Sequence, residues 1–259
     1  MNGRRAIVGL CLLCAMAFSA FAAQSAMAAK GTTLFTCVEG GTKDFANADC
    51  NVQPGTKFGH VEVAQDLTTH TKYVSTTTPK FKSTVAGTAF TLESTMLTGT
   101  GSCFNRLNGK EHWIQCSKIK LTYDEVTVSP TSCGVTGLPG GPGMIETKTL
   151  KATTQTELMA LKLEPEAGTV VAEWEWTGAT CPFVGSGTAK VVGSITCVPA
   201  GAELVCSHAE VTAAKTLRLG SAAGPIAGYE GKTTVTGGEE EPEKGKPTNP
   251  LSVTTKETA

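Results

Sequence analysis

Cysteine is the residue type in this chain whose number and spacing most directly suggest chemistry. Cysteine thiolates bind metals or act as nucleophiles, whereas paired cysteines form disulfides. Two of the ten cysteines, Cys11 and Cys14, lie in an apolar amino-terminal run that we expect to be removed. The eight that remain are Cys37, Cys50, Cys103, Cys116, Cys133, Cys181, Cys197 and Cys206. An even number in an exported chain favours four disulfides over free thiols.

One of these disulfides follows from a predicted hairpin. Residues 195–198 and 203–206 are strand-like runs that flank a short link containing Pro199 and Gly201, which is typical of a hairpin connection. If Val198 pairs with Val205, Cys197 falls opposite Cys206. Directly opposed residues are close enough for a disulfide after small adjustments. The sequence therefore predicts a bridge between Cys197 and Cys206.

The other three bridges are predicted from local spacing, although sequence alone leaves many pairings open. Cys103 and Cys116 flank Asn108-Gly109, a dipeptide that tolerates the backbone angles of a tight hairpin turn. Cys37 and Cys50 enclose a loop rich in Gly, Asp and Asn. By elimination, the last pair and the longest loop belong to Cys133 and Cys181.

Two tryptophans and two glutamates alternate along residues 170–177, which is the period of a half-buried strand. Trp174 and Trp176 share one face and could face a ligand, because aromatic rings stack on sugars. Ala172, a small residue, lies on the same face, and this favours a place in the protein core for both tryptophans. Glu173 and Glu175 lie on the opposite face. Their spacing matches that of the two carboxylates of a glycosidase, but neighbouring residues on one face of any strand have this spacing, so it is not specific evidence for an enzyme.

Other motifs of catalytic or binding chemistry fail on their spacing. Gly231-Lys232-Thr233 resembles the end of a phosphate-binding loop, but Ile226 stands where its first glycine belongs. Gly185-Ser186-Gly187 lacks the outer glycines of a nucleophile elbow. The histidines, which lack zinc-site spacing, are His60, His70, His112 and His208. We therefore predict no catalytic residue, no cofactor site and no metal site, and hence a protein that is not an enzyme.

The amino terminus predicts export from the cytoplasm. Arg4 and Arg5 precede an apolar run, and Ala26-Met27-Ala28 provides the small residues that a signal peptidase reads. Residues 1–28 are thus a predicted signal peptide, and the mature form, extracellular or in the cell envelope, has no predicted membrane span. Loss of both arginines leaves 20 basic against 23 acidic residues, a net charge of −3. This balance argues against nucleic acid as a partner.

Short alternating runs and a high threonine content predict an all-β fold. Forty of the 259 residues are Thr, and β-branched side chains suit the wet face of a strand. We predict a disulfide-stapled antiparallel sandwich of one or two domains, with the two-domain form favoured. Its parts are an amino-terminal β domain over 29–117 and a carboxy-terminal β-sandwich over 118–236. The acidic, Pro-rich segment 237–259 is predicted to be a disordered tail.

Several short segments resemble uncharacterised secreted β-rich bacterial proteins with paired cysteines. The segments that carry this resemblance are Cys37, Phe45, Asp49-Cys50, Gly55, Cys133-Gly134-Val135, Thr147-Lys148-Thr149-Leu150, Cys181 and Gly193-Ser194-Ile195-Thr196-Cys197. The likeness covers most of the mature chain. It implies secretion and a β fold, and it brings no catalytic residues.

These observations favour a secreted, non-catalytic binding or structural module at or beyond the cell surface. Its ligand is unknown, and a cell-surface polysaccharide or protein is the class of partner considered. The alternative is a secreted hydrolase acting on glycans, with carboxylates that only the fold brings together. Clustered carboxylates and histidine in a pocket would favour the hydrolase, whereas exposed Trp or Tyr on a flat sheet would favour sugar binding.

Overall fold

The computed structural model describes residues 30–40, 44–47, 50, 52–63, 68–108, 111–155, 160–200, 203–208, 216–238 and 249–257. The predicted signal peptide, 1–28, lies outside these residues. All regular structure in the described residues is β, as predicted. No helix within these ranges is long and apolar enough to cross a membrane.

The described residues form twenty strands in chain order. They are β1 (Lys30–Glu39), β2 (Phe58–Glu62), β3 (Thr69–Ser75), β4 (Lys80–Val85), β5 (Thr88–Glu93), β6 (Met96–Asn108), β7 (Glu111–Asp124), β8 (Thr127–Ser129), β9 (Gly134–Gly137), β10 (Gly140–Gly141), β11 (Met144–Glu146), β12 (Leu150–Gln155), β13 (Ala160–Pro165), β14 (Val170–Thr177), β15 (Ala189–Val192), β16 (Ile195–Ala200), β17 (Glu203–His208), β18 (Arg218–Leu219), β19 (Gly228–Gly238) and β20 (Asn249–Glu257).

Eight of these strands form a ring in which every neighbour is antiparallel. The order is β3-β6-β7-β12-β13-β16-β17-β19, and β19 pairs back with β3 to complete the circuit. We call this ring the closed sheet. The prediction of packed antiparallel sheets is confirmed, and the larger sheet is barrel-like because it closes on itself. Closure removes the exposed strand edges that an open sheet presents.

The interior of the closed sheet is filled by inward-facing side chains of alternate residues. Leu97, Ile119 and Leu150 are each exposed by 1% or less. Gly99 also faces inward, and a Cβ there would lie 2.5 Å from the carbonyl oxygen of Lys120. Only glycine permits so close an approach of β6 to β7.

A second sheet of four strands, ordered β18-β15-β14-β9, packs against the closed sheet. We call it the cap. Cys133 precedes β9 and Cys181 follows β14, and their disulfide joins the ends of these two paired strands. Strands β4 and β5 pair with each other, and β4 continues the closed sheet through β19. The apolar side chains that the cap packs against therefore come from widely separated parts of the chain.

Strands β20, β1 and β2 prolong the large sheet beyond β19, and we call them the extension. One buried side chain, Asn105 on β6, links the extension to the closed sheet. Its Oδ1 accepts from the Leu34 N–H at 2.8 Å, and its Nδ2 donates to the carbonyl oxygens of Leu34 at 3.1 Å and Val63 at 2.7 Å. A single amide therefore satisfies three backbone groups that burial removes from water.

The structure differs from two predictions about chain organisation. The boundary predicted near Lys118, between 29–117 and 118–236, falls inside β7, and β19 of the second half pairs with β3 of the first. The two halves thus share one sheet rather than forming two domains. Within the predicted disordered segment 237–259, residues 249–257 form β20. Backbone pairing with β1 supplies hydrogen bonds that the composition of the segment does not reveal.

Candidate ligand-binding cavity

The strand β14 carries the two tryptophans that the sequence singled out. Trp174 and Trp176 do share a face, but they are only 1% and 7% exposed. The hypothesis that they form an exposed, ligand-facing platform for sugars is therefore wrong. Both rings point into the core, toward Phe81 of β4 and Phe90 of β5.

The tryptophans belong to a cluster of five aromatic rings. Trp176 lies 5.0 Å from Phe90 and 4.9 Å from Phe183 between ring centroids. Trp174 lies 5.9 Å from Phe81 in an edge-to-face arrangement and 5.6 Å from Trp176. Edge-to-face pairs place the positive ring edge against the negative ring face, which adds to the benefit of burial. The cluster fixes the orientation of β14 over β4 and β5.

Beside this cluster, an apolar cavity of about 60 Å³ lies between the cap and the closed sheet. Val171, Trp174 and Val191 line it from the cap. Ile195 and Tyr229 line it from the closed sheet. Packed protein interiors contain few voids larger than a water molecule, so a cavity of this size is a notable feature of the core.

Most polar groups at the cavity have hydrogen-bond partners. Ser94 Oγ lies 2.7 Å from the carbonyl oxygens of both Met96 and Asp124, which share its single O–H donor, and Thr147 Oγ1 accepts from the Leu121 N–H at 3.0 Å. The indole N–H of Trp174 differs from them. It is the one buried side-chain nitrogen or oxygen in the described part of the chain that has no hydrogen-bond partner.

Two tyrosine hydroxyls meet at the inner end of the cavity. Tyr123 donates to Tyr229 at 3.1 Å, with the rings edge to face. Burial raises the pKa of Tyr229 to about 12, and burial together with the neighbouring Tyr229 raises the pKa of Tyr123 well above its usual value. Both hydroxyls therefore stay uncharged over the whole physiological range.

A smaller cavity of about 30 Å³ lies inside the closed sheet, on the other side of this tyrosine pair. Tyr123, Ile195 and Tyr229 line both cavities. Tyr73 lines the smaller one, and burial raises its pKa to about 12.

The four predicted disulfides are all present. They are Cys37–Cys50, Cys103–Cys116, Cys133–Cys181 and Cys197–Cys206. The predicted hairpin register is also confirmed, because Val198 pairs with Val205 and Cys197 with Cys206. All eight cysteines are buried, and the Cys197–Cys206 bridge lines the smaller cavity. Two of the bridges therefore cross-link strands of the closed sheet from the inside.

The carboxylates of β14 are engaged by lysines. Glu173 Oε2 lies 2.7 Å from Lys148 Nζ, and its Oε1 lies 3.2 Å from Lys190 Nζ. The hydrogen bond from Lys148, assisted by that from Lys190, holds the pKa of Glu173 below its usual value despite partial burial. Such a carboxylate is a poor proton donor, so Glu173 and the exposed Glu175 do not match an acid and nucleophile pair.

The histidines do not assemble a site in the described residues. His60 on β2 packs between Phe35 and Phe45, at 5.5 and 4.7 Å between ring centroids. Burial lowers its pKa, and the negative charge of Asp44 opposes that change. His70 is exposed on β3. Across the described ranges, no group of three or more His, Cys, Asp or Glu side chains is placed to hold a metal ion.

An open depression of about 500 Å³ on the outer surface is the other candidate site. Lys80, Lys82 and Glu230 line its rim. Lys80 pairs with Glu93 at 2.8 Å, and Lys82 pairs with Glu230 at 3.5 Å. Because these exposed charges are already paired, the depression offers a ligand less than the apolar cavity does.

Sequence patterns identified only one wall of the cavity. The alternation along β14 placed Trp174 on a buried face, whereas Tyr123, Ile195 and Tyr229 come from three other strands. Their inward orientation follows from strand alternation, but their convergence depends on which strands pair. Comparisons of the chain with protein-family models, with curated proteins and with solved structures give no match.

Proposed function

We propose that this chain is a secreted, non-catalytic binding module that holds a small apolar molecule inside its fold. The observation that carries the proposal is the apolar cavity between the cap and the closed sheet. An empty apolar space in a core lowers stability, by an amount that rises with its volume. A ligand that fills the space recovers that loss, so the cavity has a natural role as a binding site.

The scaffold around the cavity supports this role. Eight-stranded closed sheets have an interior that side chains fill or that encloses one small ligand. Here the cross-strand disulfides Cys103–Cys116 and Cys197–Cys206 hold the ring from within. Four disulfides are typical of proteins that work in an oxidising compartment outside the cytoplasm. The closed sheet, braced in this way, provides one wall of the cavity that lies between it and the cap, and a rigid wall lowers the entropic cost of binding.

The choice between a binding module and a glycan hydrolase rests on the carboxylates. A hydrolase of that kind needs one carboxylic acid with a raised pKa beside a second, ionised carboxylate. Glu173 and Glu164 are instead held below their usual pKa by lysine partners. These ion pairs support a structural role for both glutamates.

Xenon is a suitable first probe of the cavity, because it is apolar and monatomic, and about 60 Å³ is less than half of the roughly 150 Å³ of an apolar core cavity that binds benzene or xenon. We expect xenon to raise the free energy of unfolding of the disulfide-intact protein. At ten times the dissociation constant the rise is about 1.4 kcal/mol. The measurement is urea unfolding at a series of xenon pressures.

The matched control is Ala172→Leu, because Ala172 lines the cavity and a larger side chain fills it. This variant should unfold cooperatively and show no stabilisation by xenon. No stabilisation of the natural protein, or equal stabilisation of both proteins, would contradict the proposed function.

Export is tested separately by expressing the full chain and determining the mass of the protein in the medium. We expect a form that begins at Ala29 and carries no free thiol. An intact amino terminus or retention in the cytoplasm would contradict secretion.

A further inference from the structure

We propose that the outer face of the hairpin formed by β6 and β7 binds a polysaccharide, with Trp113 as the ring on which one sugar stacks. Four side chains form this surface, which we call the hairpin platform: Phe104, Arg106, Trp113 and Gln115. None of the four lines the apolar cavity, so the platform is a second site whose occupancy does not depend on what the cavity holds.

The hairpin platform lies on one face of two paired strands. Phe104 of β6 is directly opposite Gln115 of β7, and Arg106 is opposite Trp113. Ile114, between Trp113 and Gln115, is 0% exposed, so its neighbours on β7 point away from the interior. Arg106 is exposed, and the other three platform residues are partly exposed. Solvent therefore reaches all four side chains.

Packing in the core does not account for Trp113. The sequence has three tryptophans, and Trp174 and Trp176 belong to the core cluster. Within the described ranges, that cluster and the partly buried side chains packed against it include neither Trp113 nor Phe104. Tryptophan and arginine are enriched among the residues that dominate binding surfaces. A partly exposed Trp opposite an Arg therefore indicates recognition rather than packing.

The hairpin platform is supported from beneath. The disulfide Cys103–Cys116 joins the residues next to Phe104 and Gln115 on the inner face of the hairpin. On the outer face, the guanidinium carbon of Arg106 lies 4.9 Å from the centroid of the Phe104 ring, a cation–π contact that restricts both side chains. A preordered surface loses little conformational entropy on binding.

A sugar ring matches the chemistry of this surface. A pyranose with equatorial hydroxyls has C–H groups on its flat faces and hydroxyls around its edge. The flat face packs against the apolar body of an aromatic ring such as that of Trp113. The hydroxyls need hydrogen-bond partners, and the Gln115 amide has both donors and an acceptor. Thr153 of β12, directly opposite Gln115, adds a hydroxyl to the same row.

A protein partner fits this surface less well. A stable protein interface takes about 20–30 residues from each side, and lysine is depleted at its centre. Near the hairpin platform, the outer surface of the closed sheet carries the exposed Lys118 and the partly exposed Lys162 rather than further apolar side chains. One stacking ring with polar neighbours is sufficient for a sugar unit, so we assign the surface to a polysaccharide.

Cellohexaose and chitohexaose are suitable probes, because both are soluble chains of β-1,4-linked rings with equatorial substituents. In protein with ¹⁵N-labelled indoles, we expect titration with at least one of them to move the Trp113 resonance to a saturating value. The resonances of Trp174 and Trp176, which are buried, should stay in place. Trp113→Phe assigns the Trp113 resonance, because this variant lacks that indole alone.

Calorimetric titration of variants tests the role of the ring. We expect Trp113→Ala to weaken binding of the active probe about tenfold, because the stacking contact is lost. The matched control is Val74→Ala, at a side chain 45% exposed on β3 of the same sheet, which should change the affinity less than about twofold.

Three results would overturn the inference: no movement of the Trp113 resonance with either probe, movement of the Trp174 or Trp176 resonance instead, or equal affinity in Trp113→Ala. If Trp113→Ala does not fold, the indole resonances of the natural protein decide alone.

Discussion

The cap and the extension are both attached to the closed sheet, but the balance of forces differs. The cap is held mainly by a cluster of five aromatic rings and by other apolar side chains, with a backbone bond from the Lys148 N–H to the Val171 carbonyl oxygen at 2.8 Å. The extension buries Leu34 and Val63 but is held mainly by backbone pairing and by the three hydrogen bonds of Asn105. Apolar attachment depends on area and tolerates small shifts, whereas a buried amide depends on direction and loses its effect when a single residue changes. The cap can therefore sit over a cavity, while the extension needs an exact fit at one point.

The largest effect is expected from Trp176→Ala in the cap. Trp176 is buried among Phe90, Phe183 and Trp174, and truncation of a buried Trp costs about 3–5 kcal/mol. Urea unfolding should show that loss in the free energy of unfolding. The control is Val184→Ala, at a side chain that is 53% exposed, which should change stability by less than about 0.5 kcal/mol. A loss below about 1 kcal/mol for Trp176→Ala would show that the cap does not depend on the cluster.

Two disulfides allow the cap and the extension to be compared, because Cys133–Cys181 belongs to the cap and Cys37–Cys50 to the extension. In the loop-entropy model, removal of Cys133–Cys181, whose cysteines are 48 residues apart, costs about 4 kcal/mol. Removal of Cys37–Cys50, with a separation of 13, costs about 3 kcal/mol. Double Cys→Ala variants compared by denaturant unfolding should therefore differ by about 1 kcal/mol.

The bridge Cys103–Cys116 is the matched control, because its separation is also 13. Chain entropy alone predicts the same loss as for Cys37–Cys50. A larger loss at Cys103–Cys116 would report packing inside the closed sheet rather than loop length. An equal loss for all three bridges would contradict the entropic account.

Asn105→Ala should release the extension and leave the closed sheet folded. The change removes the Asn105 partner of the Leu34 N–H and of the Val63 carbonyl oxygen, at about 1–3 kcal/mol for each group that stays buried, whereas the Leu34 carbonyl oxygen keeps the Val63 N–H at 3.0 Å. Detachment of the extension avoids much of that cost, so we expect a loss of about 2 kcal/mol. Hydrogen exchange should quicken at Leu34 and Val63 but not in β12 or β13.

The control for this variant is Thr100→Ala on the same strand, at an exposed side chain. It should leave exchange in the extension unchanged. Faster exchange throughout the closed sheet in Asn105→Ala would mean that the extension and the ring unfold together.

The smallest change in stability is expected from loss of the Glu173 charge on the outer face of the cap. Because Lys148 and Lys190 lower the pKa of Glu173, its contribution to stability is present above the pKa of an unfolded Glu and is lost as pH falls through the lowered folded value. Glu173→Gln should therefore reduce stability at neutral pH by less than about 1 kcal/mol, and the difference should vanish in strong acid. Urea midpoints at both pH values measure this change. Glu175→Gln on the same face is the control, and an equal pH dependence in both variants would rule out the lysine pairs as the cause.

How far the fold could be predicted depends on the distance along the chain over which each feature is decided. The pairing of Cys197 with Cys206 was predictable because only two residues separate the two strands, so alternation and turn chemistry fix the register. The sequence did not reveal that the two halves of the chain share one sheet across Lys118, because that sheet depends on the pairing of β3 with β19 from distant parts of the chain. The strand over 249–257 escaped prediction for the same reason, since its partner β1 lies at the other end of the described chain.

The sequence by itself determined the β class, the Cys197–Cys206 pair and the shared face of Trp174 and Trp176, which it also favoured as a core face. These follow from residue type and from the period of two along a strand, which are local properties. Only the tertiary structure decided between the other possible cysteine pairings, closed the large sheet and left an apolar cavity beside the tryptophans. The physical reason is that a cavity is the volume left unfilled when many side chains from distant parts of the chain pack, and no local sequence pattern encodes that volume.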